Sequence, residues 1–250
     1  MRRGKTIPGQ IRYAIDFWLT TYCQARCRSC ARTNPEDGTE AQWLVKEHMS
    51  LDTFVNRLSG FDEYLEYIQF CGEMGDPCMH PKVNDFITRS FDYTDEVHVL
   101  TNGGLRQPDW YAELAEKYTD FRGKHTGVYF KFGIDGTDQE TNEMYREGVN
   151  FQRAYDNMKA YFNAGGNGTW HYLIFEWNWH DIPNAIEMAK DLGTDINFKF
   201  NGRGHGLITP ENKKMAVKLL KDYNYQGGAV YQVNLQLWLH MRPFLMKKPF

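Results

Sequence analysis

The chain has 250 residues, 42% of them hydrophobic and 15% aromatic, with 29 basic and 32 acidic residues and a formal net charge of −3. That length accommodates one large domain or two small ones with a full core, and the near balance of charge argues against nucleic acid or an anionic membrane as a partner of the whole surface. No apolar run approaches the roughly 18 residues of a membrane span, and the basic start Met1-Arg2-Arg3-Gly4-Lys5 leads into Pro8 rather than an apolar signal core, so the expectation is a soluble, cytoplasmic protein.

Taken in order, Ile11 to Thr20 reads as an apolar strand interrupted by Asp16, the pattern of a strand buried on both faces. A cysteine-bearing loop, Cys23 to Cys30, follows it. Ser50 is placed to cap a helix with Leu51, Phe54, Val55 and Leu58 at helical spacing. Leu65 to Phe70 is a second strand, Val83 to Phe91 an amphipathic helix and Glu96 to Leu100 a third strand. A helix around Trp110 to Tyr118 precedes a fourth strand, Gly127 to Ile134. The alternation continues with helix Phe151 to Asn163, strand Trp170 to Phe175, helix Ile182 to Leu192 and strand Ile196 to Phe200. Helix Pro210 to Tyr223, capped by Thr209, closes the series.

Six strands alternating with six helices predict an α/β fold, a partial (β/α)6 TIM-like barrel around a parallel sheet. Right-handed crossovers would then set every strand C-terminus on one rim. The polar and glycine-rich stretches all fall there: Cys23 to Cys30, Cys71 to Pro77, Thr101 to Gly104, Asp135-Gly136, Glu176 to Asn178 and Asn201 to Gly206. Residues 1–226 are expected to form this domain. The apolar tail 227–250, with Leu235, Leu237, Trp238, Leu239, Phe244 and Leu245, is expected to pack on it.

Three of the five cysteines, Cys23, Cys27 and Cys30, lie at C-x3-C-x2-C spacing. Clustered and odd in number, the cysteines fit metal ligation in a reducing compartment better than a disulfide framework. Three thiolates can hold three corners of a four-iron cluster and leave one iron open, whereas ferredoxin-type carriers and structural zinc sites take four protein ligands. A zinc knuckle is the other chemistry such thiols allow. Convergence of independent segments on one rim favours the cluster, since a zinc knuckle calls for no such convergence.

The spacing resembles the cluster motif of the radical S-adenosylmethionine (SAM) superfamily, with Ser29 where an aromatic residue commonly precedes the third cysteine. Cys71-Gly72-Glu73 resembles the superfamily's Gly-Gly-Glu motif, with Cys71 replacing the first glycine. Thr101-Asn102-Gly103 resembles a turn common after its third strand, although Asn-Gly is also a favoured plain turn. Gly133-Ile134-Asp135-Gly136, followed by Arg146-Glu147-Gly148 and Phe151, is similar to its Ser-hydrophobe-Asp-Gly and Arg-x-Gly stretch, with Gly133 in place of serine.

What the resemblance implies is a 4Fe-4S cluster on Cys23, Cys27 and Cys30, and SAM contacts at Gly72, Glu73, Asn102, Asp135, Arg146 and Glu176. In that reading Gly72 and Glu73 receive the SAM ammonium, Arg146 clamps its carboxylate and Glu176 accepts from its ribose; Asp135 ordering its own turn is the alternative. Arg203 reaches the substrate or SAM, or is simply an exposed loop arginine. The chemistry implied is reductive cleavage of SAM to a 5′-deoxyadenosyl radical that abstracts hydrogen from a substrate. The chain is similar to the catalytic core of the SPASM/twitch-type group over residues 11–205, without cysteines after Cys78 for its auxiliary clusters. That likeness implies a peptide or protein side chain as substrate and a reductant such as flavodoxin or ferredoxin. A small-molecule substrate and a catalytically silent scaffold remain alternatives.

Overall fold

The computed structural model describes residues 13–34, 36–61, 64–119 and 127–223. The start of the expected first strand at Ile11 and the apolar tail 227–250 lie outside them.

Six strands form one parallel sheet: β1 (Ile15–Phe17), β2 (Ile68–Phe70), β3 (Glu96–Thr101), β4 (Gly127–Gly133), β5 (Asn167–Ile174) and β6 (Asp195–Phe200). Their spatial order is their chain order. Without a reversal of order, right-handed crossovers carry every helix to the same face, and the sheet is the partial (β/α)6 barrel that the alternation predicts. The helices are α1 (Leu51–Leu58), α2 (Val83–Ser90), α3 (Pro108–Tyr118), α4 (Gln139–Glu143), α5 (Phe151–Asn163), α6 (Ile182–Asp191) and α7 (Pro210–Asp222). None among the described residues is long and apolar enough to cross a membrane.

Local chemistry sets the helix starts. Ser50 accepts from Thr53 N at 3.0 Å to begin α1, and Thr209 accepts from Asn212 N at 3.3 Å to begin α7. α3 begins at Pro108, two residues earlier than expected, because proline at the first turn needs no N–H partner. The unexpected α4 is a short helix capped by Asp138, which accepts from Thr141 N at 2.8 Å.

β1 is shorter than expected because the chain leaves the sheet after Phe17. Met49 N donates to Leu19 O at 2.8 Å and Thr20 pairs antiparallel with His48. The outer face of the sheet is apolar, with Phe17, Phe70, Val99, Phe130, Phe132, Trp170 and Tyr172 buried under the helices. Phe54 of α1 and Phe86 of α2 meet there with ring centroids 5.1 Å apart, and each such fully buried side chain contributes about 1.5–3 kcal/mol.

β1 differs from the expectation of a strand buried on both faces, because its inner-facing Asp16 is exposed. Register aligns Asp16, Gln69, His98 and Tyr129 in one row, Lys131 with Thr169 in the next, and His171 with Asn197 in a third. One face of the barrel is therefore hydrocarbon and the other mixed, with Leu100 in register beside Lys131 and Leu173 beyond His171 among the polar side chains.

Candidate SAM and cluster site

The loop between β1 and α1 carries the three cysteines and is held in place by four other rim loops. After β2, Asp76 N donates to Tyr22 O at 2.9 Å, and a Cβ on Gly75 would lie 2.3 Å from Thr20 O, so only glycine allows this approach. After β3, the Asn102 and Gln24 side-chain amides pair, with Gln24 Nε2 donating to Asn102 Oδ1 at 2.6 Å. After β4, Arg26 N donates to Glu147 O at 2.9 Å and the two side chains form an ion pair at 2.7 Å. After β6, His205 N donates to Ser29 Oγ at 3.2 Å. Ser29 thus joins the first and last rim loops at the position where the superfamily commonly has an aromatic.

Two buried charged residues absent from the sequence reading complete this grip. Arg32 donates to Thr21 O at 3.0 Å and to Glu40 at 3.1 Å. Asp76, fully enclosed, accepts from Cys78 N, Thr101 Oγ1 and Asn102 N, each at 2.9 Å, and so ties the second rim loop to the third. Burial pushes its carboxyl above the usual range, opposed by those donors.

Cys23 and Cys27 are poor acids in this setting. Burial, followed by the nearby Asp76 charge, pushes Cys23 up to about 12. Burial pushes Cys27 up to about 11, with the Arg146 guanidinium opposing. Asn102 Nδ2 donates to Cys23 Sγ at 3.7 Å, and Cys30 Sγ donates to Glu73 O at 3.8 Å. Thiols this desolvated favour metal ions over free thiolate charge, and ligation releases their protons.

The predicted SAM contacts fall into two groups. Gly72, Glu73, Asn102 and Arg146 surround the cysteine loop: Gly72 packs by the Leu100 carbonyl, and Glu73, its carboxyl raised by burial and opposed by Arg203, supplies the carbonyl at Cys30. Asp135 and Glu176 are engaged elsewhere. Asp135, fully buried, accepts from Arg146 Nε at 2.6 Å and from Leu173 N at 2.7 Å, bracing its loop against Arg146 and β5. A Cβ on residue 133 would sit 2.8 Å from Arg146 Nη2, so Gly133 makes room for the guanidinium where the resemblance has serine. Glu176 accepts from Thr209 N at 2.7 Å and Asn212 Nδ2 at 2.5 Å, at the start of α7.

Cys71 and Cys78 are both buried. Cys78 accepts from the Tyr111 hydroxyl at 3.7 Å within the core.

Among the described residues no three His, Cys, Asp or Glu converge on a single ion. A cubane asks for something else, one thiolate on each of three irons. Three thiols on one pinned loop, an amide donor at one sulfur and a guanidinium beside another fit such an anionic cluster.

A family model described as "Radical SAM superfamily" matches residues 19–189, well over half of the chain, and the chain belongs to that superfamily. Its members bind a 4Fe-4S cluster and SAM. A relative from Pyrococcus furiosus, the "tungsten-containing aldehyde ferredoxin oxidoreductase cofactor-modifying protein", is 23% identical over 190 residues, 71% of this chain and 48% of the relative. Streptococcus suis SuiB bound to S-adenosylmethionine shares the fold with a TM-score of 0.63 at 14% identity, covering 87% of this chain and 49% of that one. The AdoMet-bound anSMEcpe structure also has a TM-score of 0.63, at 14% identity, with 84% and 57% covered. The chain spans about half the length of the relatives it matches.

Proposed function

We propose that this chain is a radical SAM enzyme in which Cys23, Cys27 and Cys30 hold the cluster, and that its substrate is a peptide or protein side chain. When bound and reduced by a protein such as flavodoxin or ferredoxin, the cluster supplies the electron that cleaves SAM to methionine and the radical that takes a hydrogen atom from substrate. The observation that carries the reading is the cysteine loop itself, pinned by the rim loops after β2, β3, β4 and β6.

In this reading Gly72 and Glu73 receive the SAM ammonium group and Arg146 its carboxylate, while Asn102 donates to the Cys23 sulfur and so tunes the cluster. Asp135 is a positioning residue that aims Arg146. The rim loops exclude water from the radical. Likeness of fold to SuiB bound to its precursor peptide SuiA supports a peptide substrate. The name of the Pyrococcus furiosus relative favours a second reading, the same chemistry on a small molecule or cofactor.

Anaerobic reconstitution tests the core of the proposal. About four irons per chain and SAM cleavage on reduction are expected, and neither in the Cys23→Ala, Cys27→Ala, Cys30→Ala triple variant. Bound zinc without iron uptake would overturn it.

A further inference from the structure

Lys131 sits in the middle of β4 on the inner face of the barrel, half-buried, between strands that carry no carboxylate in hydrogen-bonding contact with it. Among the described residues its single hydrogen bond is to a neutral group, Gln69 Oε1 at 2.7 Å. Gln69 Nε2 in turn donates to Asp16 Oδ1 at 2.9 Å, so the one acid on this path is occupied through the amide and stands at the outer strand. An ammonium has three donors; one of those of Lys131 goes to Gln69, and its Nζ stands over the Tyr67 ring, 6.0 Å from the centroid.

Burial makes the Lys131 charge costly, and the charges in range of it are mixed: Asp16 and Glu96 favour its protonation while Lys199 opposes it. Lys199 and Arg146 join Lys131 in depressing the protonation of His171, which burial already disfavours. Thr169 is the register partner of Lys131 across β4 and β5, and its buried hydroxyl has no hydrogen-bond partner although the Tyr129 phenol is near. A half-buried lysine with spare donors, a second lysine in range and an unpartnered hydroxyl alongside form a receptor for negative charge.

We propose that the inner face of the barrel binds an oxyanion of the substrate, a carboxylate or a phosphate, at Lys131 with Thr169 as a second donor. The proposal deepens the reading of this chain as a radical SAM enzyme and rests on it for calling the bound molecule a substrate. It identifies the substrate class as one whose reacting carbon is presented to the rim by an acidic group held lower in the barrel. Gln69 and Asp16 orient the lysine, and Lys199 adds long-range attraction.

Calorimetric titration of the anaerobically reconstituted full chain, with glutarate in one arm and inorganic phosphate in the other, tests it. One of the two anions is expected to bind the wild type, and the binding arm distinguishes carboxylate from phosphate. Lys131→Met should weaken that binding by at least about tenfold, and Lys131→Arg by no more than about threefold, because arginine keeps the charge and the donors. SAM binding by Lys131→Met, measured in parallel, should match wild type and certify its fold. Equal anion binding by wild type and Lys131→Met, or no binding of either anion to the wild type, would overturn the proposal. SAM cleavage on reduction without anion binding would leave the enzyme reading standing and remove the anion site. Lys131-dependent anion binding without iron uptake would do the reverse.

Discussion

At the scale of single residues, Arg146 depends on Asp135. The guanidinium is largely enclosed, 19% exposed against none for the carboxylate, and the pair closes at 2.6 Å. Burial raises the Asp135 carboxyl with Arg146 opposing, while Asp135 holds Arg146 more firmly charged than an ordinary arginine. Of these two directions the second dominates function, since a guanidinium keeps its proton in any case and the pair is bonded as an ion pair. Asp135→Asn retains an acceptor for Leu173 N but leaves a buried cation without its countercharge. It is expected to cost about 3 kcal/mol in urea denaturation, near the lower end for breaking a buried pair. Arg146→Met is expected to cost a comparable amount, and the double variant to cost clearly less than the sum. Additive effects would show that the two side chains do not act as a unit. The motif stretch around Asp135 was legible as a stretch; which of its polar groups faces a ligand and which braces another was not, because spacing carries no information on hydrogen-bond partners.

At the scale of elements, α7 is set by a carboxylate two segments away. Glu176 follows β5 and bonds the first turn of α7, placing negative charge at a helix N-terminus where the free N–H groups and the macrodipole favour it. Glu176→Ala is expected to destabilise α7 by about 1 kcal/mol, read as faster hydrogen exchange in its amides. SAM affinity is expected to change less than about threefold, well under 1.4 kcal/mol. A tenfold loss of SAM affinity with unchanged exchange would instead make Glu176 the ribose ligand of the sequence reading. The caps at Ser50 and Thr209 were readable from sequence because a cap is a local device, satisfied within three residues. Glu176 was not, because its partners are 33 and 36 positions away.

At the scale of the whole molecule, two histidines held neutral make stability depend on pH. Lys82 N donates to His80 Nδ1 at 3.1 Å, so the other ring nitrogen carries the proton that faces Met49 O at 3.0 Å. Burial lowers its pKa, and charging the ring would remove the acceptor. Burial, then Lys199 and Lys131, pushes His171 down to about 3. A histidine whose folded pKa lies below its unfolded value of about 6.5 binds fewer protons when folded. Its contribution is therefore complete above that value and is lost as pH falls below it. For His171 the loss between pH 7.5 and pH 5 is expected to be about 2 kcal/mol. Denaturation midpoints across this range should show His171→Gln flattening the decline; identical slopes in the two proteins would remove His171 as its source.

Sequence alone determined the alternation of strands and helices, the parallel barrel that follows from it, the rim on which the loops gather and the three thiols at its centre. Each of those rests on local periodicity, on capping or on a spacing of a few residues. Tertiary structure decided the rest. Asp16, Gln69 and Lys131 meet across separations of 53 and 62 residues only because parallel register brings three strands side by side. In the sequence each is a lone polar residue inside an apolar run. Packing likewise assigned Asp135 to Arg146 and Glu176 to α7. The cysteine spacing states what the protein can hold; the alignment of its strands sets the charge that faces whatever enters the barrel beneath.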